Sequence, residues 1–205
     1  MSIYTYNGGT VIAMAGDGCV CIASDLRLGE QMTLVATDVK KVYKLTDRVF
    51  VGMAGFQSDA QTVLEKLRLQ VGLYELRENR KLSPSVAITM VSNLLYKHRF
   101  GGYIVGPLVA GIDPVTNKPF VGATDGIGCI DNPRDFAAIG CAQEYALNLC
   151  EGFWRENMGP DELFEATAQA MLSALDRDAS SGYGVVIYTV TKDKTTVKTI
   201  ACRMD

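Results

Sequence analysis

The sequence predicts an α+β fold built as a four-layer αββα sandwich, with two stacked sheets enclosed by helices on both outer sides. Two observations carry that prediction. Read for periodicity, the chain runs strands, two helices, strands, two helices, strands, and helical layers flanking stacked sheets bury this many one-sided apolar faces. Apolar residues make up 48% of the 205 positions, and neither a repeat nor a Pro/Ser/Gly-rich linker divides the chain, so residues 1–205 read as a single domain.

The N-terminal third reads as strands. Thr10–Ala15 and Cys19–Ser24 are apolar-rich runs separated by Gly16-Asp17-Gly18, a hairpin signal because Asp-Gly tolerates positive φ. Further strands are predicted at Met32–Thr37, Val39–Leu45 and Val49–Ala54, with Gly52 and Gly55 marking close backbone approach or a turn. The period then lengthens. From Ser58 to about Asn79, the residues Ala60, Val63, Leu64, Leu67, Val71, Tyr74 and Leu76 fall near one helical face. Ser83-Pro84 is an N-cap followed by proline in the first turn, opening a second helix to about Phe100 whose buried face uses Val86, Met90, Leu94 and Leu95. Strands return at Leu108–Ile112 and Phe120–Thr124, joined by a loop with Asp113-Pro114 and Asn117-Lys118-Pro119. A third helix is predicted over about Ala142–Glu156, and a fourth from Pro160 to about Asp176, where Asp161 and Glu162 suit the positive end of the helix dipole. Two β-branched runs, Tyr183–Thr191 and Thr195–Arg203, close the chain.

Composition excludes several function classes. The formal net charge is −3 with no basic stripe, so nucleic-acid binding has little electrostatic support. No apolar run approaches the ~18 residues of a membrane span, and the chain start carries no signal-peptide pattern. Six cysteines form no CxxC pair, and the single histidine, His98, completes no Cys/His zinc set, so neither a metal nor a cofactor is expected. Cys19 and Cys21 lie two apart on one strand, a poor geometry for a disulfide, and read as reduced core thiols. His98 ends the second helix, where a cation suits the dipole, and no serine or cysteine is identifiable as its partner.

Four segments, in this order and spacing, carry a resemblance. They are Gly8-Gly9-Thr10-Val11 with Ile22-Ala23-Ser24-Asp25 and Lys41, then Met53 through Ala60, then Val109 through Asp113, and Asp178-Ala179-Ser180-Ser181-Gly182. Together they resemble the β subunits of the proteasome over nearly the whole chain. The segments Met1–Gly9, Leu73–Glu78, Asn93–Gly101 and Cys202–Asp205 point to one branch of that family. The resemblance implies the N-terminal-nucleophile hydrolase sandwich. It also implies a chemistry in which a threonine, freed by cleavage after glycine, attacks a peptide carbonyl with its own α-amine as base. That chemistry needs a free amine, because an amide nitrogen accepts no proton at neutral pH.

In active members the threonine lies sixteen residues before the aspartate and thirty-two before the lysine. Counted back from Asp25 and from Lys41, both spacings arrive at Gly9, which has no nucleophile. A rival register makes Thr10 the nucleophile after cleavage between Gly9 and Thr10. In a strand, however, a one-residue slip turns every side chain to the opposite face, and only a bulge would absorb it. By the resemblance, Asp25, Lys41, Cys141, Asp178 and Ser181 are relics of the family site around Gly9, kept as a hydrogen-bond and ion-pair network. Residues 1–8 are expected to persist as a short uncleaved extension. Asp125 and Cys129 match positions that, by the resemblance, wall a neighbouring subunit's substrate pocket; local strand and turn packing is the other reading.

The expected function is therefore a non-catalytic structural subunit in the cytoplasm and nucleus. It would assemble with other β and α subunits into a 28-subunit core particle that degrades proteins in an ATP- and ubiquitin-dependent manner. The alternatives are an active threonine (or cysteine) peptidase of the same fold, and a free-standing binding module that has lost the ring.

Overall fold

The computed structural model describes residues 2–204. Successive strands are β1 (Thr10–Ala15), β2 (Cys19–Asp25), β3 (Leu28–Glu30), β4 (Thr33–Ala36), β5 (Val42–Lys44) and β6 (Val49–Gly55). Helices α1 (Gln57–Glu78) and α2 (Pro84–Lys97) follow, then β7 (Val105–Ile112), β8 (Pro119–Thr124), β9 (Ile130–Asp131) and β10 (Phe136–Gly140). Helices α3 (Gln143–Phe153) and α4 (Pro160–Leu175) precede β11 (Val185–Thr191) and β12 (Thr195–Ile200). One antiparallel sheet has the order β10-β1-β2-β11-β12, the other β5-β6-β7-β8-β9, and β3-β4 form a separate hairpin.

Strand alternation builds the layers. In β1, Ile12 and Met14 join the apolar cluster under α3 and α4, whereas Val11, Ala13 and Ala15 face the other sheet. In β6, Val49, Val51 and Met53 pack under α1 and α2, whereas Phe50 and Ala54 join the layer between the sheets. Both faces of each sheet are thus covered, and each fully buried aliphatic side chain contributes about 1.5–3 kcal/mol. Gly52 lies where the two sheets approach closely, since a Cβ there would lie 2.5 Å from Val11 Cγ1. This arrangement is the αββα sandwich that the element order predicts.

Local signals explain most boundaries. Ser83 Oγ accepts from Val86 N at 3.4 Å, and Pro84 begins α2. Asp161 and Glu162 lie in the first turn of α4, with Gly159 N donating to Glu162 Oε2. Four differences from the sequence reading stand out. Strand β10 is absent from it, although it pairs with β1 from Thr10 to Met14. The run Met32–Thr37 is only the second arm of a hairpin that turns at Gln31 (φ 57°). The run Val39–Leu45 shortens to Val42–Lys44, and Lys41 just before it is buried. Leu76 is 82% exposed, because at about 100° per residue it lies on the face of α1 opposite the buried Ala60, Val63, Leu64, Leu67 and Val71.

Candidate functional site

Five chain segments meet at the N-terminal end of β1. Asp25 ends β2, Lys41 precedes β5, Cys141 follows β10, and Asp178 and Ser181 sit in the loop from α4 to β11. Gly9 lies at the centre, its amide donating to Ser180 O at 3.3 Å and its carbonyl accepting from Cys141 N at 3.0 Å. The structure therefore brings together Gly9, Asp25, Lys41, Cys141, Asp178 and Ser181.

The electrostatic centre is the ion pair Lys41 Nζ–Asp25 Oδ1 at 2.9 Å, with both side chains almost completely buried. A buried pair is retained only where its remaining polar capacity is met. Lys41 Nζ also donates to Arg27 O at 2.7 Å and to Asp25 O at 3.2 Å. Asp25 accepts the amides of Thr10 (3.0 Å), Gly182 (3.1 Å) and Arg27 (3.2 Å). Asp178 accepts from Ser180 N, Ser180 Oγ and Ser181 Oγ. Burial pushes the Cys141 thiol pKa above its ordinary value, partly opposed by a hydrogen bond with Ser180.

Position 9 itself is occupied by the lysine. A Cβ on Gly9 would lie 2.3 Å from Lys41 Cε and 2.8 Å from Cδ, and Gly9 adopts φ +99°, which L side chains rarely adopt. The alkyl arm of Lys41 thus fills the space where a side chain at position 9 would project. Thr10 is also spoken for. Its hydroxyl lies 3.0 Å from Ser181 Oγ and accepts from Ala142 N at 3.0 Å, and the residue is fully buried. Its amide donates to Asp25 Oδ1 at 3.0 Å.

The sequence reading omitted two members of this region. Arg27 is 4% exposed, and its guanidinium donates to the carbonyls of Ser180, Gln31 and Met32. The run Asp25-Leu26-Arg27, two charges at the end of an otherwise apolar strand, was the available signal. Asn7 ties the preceding segment down. Its Oδ1 accepts from Gln57 N at 2.9 Å, capping α1 where Phe56 offers no side-chain cap, and its Nδ2 donates to Gly29 O at 2.9 Å.

Asp125 and Cys129 do not join this network. Asp125 Oδ1 accepts from Cys129 N (2.7 Å) and Ile127 N (3.0 Å), holding the exposed turn that contains Gly126-Ile127-Gly128. Both residues border a cleft of about 580 Å³ that is also lined by Ala54, Gly55, Ala137 and Gly140. His98 Nδ1 pairs with Leu94 O at 2.9 Å and the ring packs on Tyr103, so it ends α2 as a structural group. Among the described residues, no group of three His, Cys, Asp or Glu side chains could hold a metal, and no helix is long and apolar enough to cross a membrane.

A family model described as "Proteasome subunit" matches residues 5–190. The chain is 66% identical to proteasome subunit beta type-3 of Caenorhabditis elegans over 205 residues, covering 100% of both chains. It is 46% identical to proteasome subunit beta type-3 of Drosophila melanogaster, again over 100% of both. It is 43% identical to the Saccharomyces cerevisiae protein of that name over 199 residues, or 97% of each chain. These relatives are the branch to which Met1–Gly9, Leu73–Glu78, Asn93–Gly101 and Cys202–Asp205 point. With the family model matching residues 5–190 and similarity to these relatives from end to end, the chain belongs to the proteasome subunit family.

Proposed function

We propose that the chain is a non-catalytic structural β subunit of the 20S core particle. It holds one fixed place in a hetero-oligomeric, 28-subunit assembly with other β and α subunits in the cytoplasm and nucleus. There it supports ring assembly and the ATP- and ubiquitin-dependent degradation that the whole particle performs. The observation that carries this reading is the space at position 9, where Lys41 Cε lies 2.3 Å from a would-be Cβ. An active site places a nucleophilic hydroxyl there; this chain places a glycine and lets the lysine fold over it. The beta type-3 name shared by its relatives supports the same role.

The peptidase reading, with Thr10 as nucleophile, is disfavoured by the Thr10 surroundings. Its hydroxyl bridges Ser181 and Ala142, and the ammonium of Lys41 bonds Asp25 and Arg27 instead of Thr10. In the assembled particle we also assign Asp125 and Cys129 to the wall of a neighbour's substrate pocket. Support comes from their exposure at a cleft rim and from Asp125 using one carboxylate oxygen, Oδ1, to hold its turn. An acidic wall there favours basic substrate residues by charge complementarity.

The test is purification of the tagged chain from cells. Co-elution at particle mass with α and β subunits in fixed proportion, with residues 1–8 still attached, is the expected result. Elution as a monomer, or a chain beginning at Thr10, contradicts the proposal.

A further inference from the structure

Asn7-Gly8 is the one Asn-Gly step in the chain, and packing fixes both of its residues. Gly8 has φ +72°, and a Cβ there would collide with Ser180 O. Asn7 uses both halves of its side-chain amide: Oδ1 accepts from Gln57 N at 2.9 Å, and Nδ2 donates to Gly29 O at 2.9 Å. A donor and an acceptor on one short side chain are what a carboxamide offers and a carboxylate does not. The neighbouring backbone is paired as well. Gly29 N donates to Asn7 O at 3.0 Å and Gln31 N to Tyr6 O at 2.8 Å, which binds residues 6–7 along β3 and its turn. Tyr6 Oη donates to Glu30 Oε1 at 2.7 Å, and its ring meets Phe56 edge-on with centroids 5.9 Å apart.

This step carries a chemistry of its own. The Gly8 amide nitrogen, after losing its proton to solvent, can attack Asn7 Cγ, unhindered because glycine has no Cβ. A bond forms between Gly8 N and Asn7 Cγ, the Cγ–Nδ2 bond breaks, and Nδ2 leaves as ammonia with a proton from water. Water then opens the resulting succinimide at either carbonyl, giving aspartate or isoaspartate, and no oxidant or reductant enters. Ring closure turns the carboxamide onto Gly8 N, and the bonds to Gln57 N and Gly29 O hold it against that rotation. The docked segment therefore blocks ring closure, and an undocked one permits it.

We propose that Asn7 is a deamidation site gated by docking of the N-terminal segment, converted only in chains whose segment has come away from β3 and α1. The product does not fit the place it left. An aspartate keeps an oxygen for Gln57 N but turns its second oxygen, an acceptor, toward Gly29 O. Isoaspartate routes the main chain through Cγ, lengthening it by one carbon and turning the Asn7 carbonyl that Gly29 N bonds into a side-chain carboxylate. The change is thus a one-way record of detachment, written in the covalent chain. The gate is built from this chain's own residues and does not depend on the subunit role.

The full chain is held under mildly alkaline conditions, either native or unfolded in urea, and then digested. The peptide containing residue 7 is followed by mass spectrometry, with fragmentation separating aspartate from isoaspartate. Conversion at Asn7 is expected to be about tenfold faster, or more, in the unfolded chain, as for any step that needs local opening. Equal rates in the two states overturn the gate, and absence of conversion in the unfolded chain overturns the site. Asn7→Asp supplies the product directly. Its Gly29 and Gln31 amides, which bond the carbonyls of Asn7 and Tyr6, should exchange about tenfold faster than in the parent, while Gln57 changes less because an oxygen still faces it. Parental exchange at Gly29 and Gln31 would show that the product redocks, and overturns the one-way record.

Discussion

Replacing Gly9 by alanine puts one methyl group where the arm of Lys41 already lies. Two costs add. The first is conformational: at φ +99° an L residue is strained by about 1–3 kcal/mol. The second is steric. The new Cβ lies 2.3 Å from Lys41 Cε, whereas ordinary contact begins near 3.4 Å, so the arm must withdraw by about 1 Å. That movement loosens the 2.9 Å bond to Asp25 and the 2.7 Å bond to Arg27 O. Breaking a buried pair outright costs about 3–5 kcal/mol, and partial withdrawal should cost about 3 kcal/mol. Gly18 separates the two terms: it also has positive φ, +61°, but a Cβ there meets nothing within 4 Å. Gly18→Ala should therefore report the conformational term alone, about 1–2 kcal/mol. Thermal unfolding of both variants beside the parent chain reads the difference. Gly9→Ala should melt below Gly18→Ala by roughly 6–12 °C, at about 2–4 °C per kcal/mol for a chain of this size. Equal melting temperatures would refute the claim that Lys41 occupies position 9.

Other substitutions probe the surrounding network. Thr10→Val removes the hydroxyl that accepts from Ala142 N, leaving that amide unpaired, and should cost about 1–3 kcal/mol in denaturant unfolding without changing any peptidase activity of the particle. Asn7→Ala deletes the cap of α1 and should cost about 1 kcal/mol, with faster amide exchange at Gln57 as the specific signature. Burial raises the thiol pKa of Cys19 to about 11 and of Cys21 and Cys150 to about 12, so at pH 8 at most about a thousandth of each is thiolate. Alkylation of the native chain should label exposed Cys129 first, with the buried three reacting only on unfolding; early labelling of Cys21 or Cys150 would contradict the packing of the α3–α4 layer.

The long elements were legible because their patterns are redundant. Helix α1 repeats its buried positions from Ala60 to Val71, and β1 and β2 are apolar from Val11 to Ala15 and from Cys19 to Ala23 around a Gly-Asp-Gly turn. Strand β10 was not legible, because Phe136-Ala137-Ala138-Ile139-Gly140 is short and its alanines carry little strand preference. It becomes a strand through long-range pairing with β1, which no local window contains. Leu76 differs for a simpler reason: at about 100° per residue it lies about 160–180° from Ala60 and Leu67, so helical phase turns it to the outer face, while Tyr74 still packs on the core.

The site divides in the same way. The positions of Gly9, Asp25 and Lys41 follow from spacing, and glycine at position 9 is visible in the sequence. That Lys41 folds into the space, that Arg27 is buried beneath it and that Asn7 clamps the preceding segment are consequences of packing. They arise from side chains that meet across four segments, and only the folded chain places them together.

The most direct measurement is the intact mass of this chain from purified particles treated with a covalent threonine-directed proteasome inhibitor. The account predicts that the chain retains the residues before Gly9 and carries no adduct, while adducts appear on other β chains and show that the probe reacted. A chain that begins at Thr10 and carries the inhibitor would contradict it, and would assign this subunit a cleavage activity of its own.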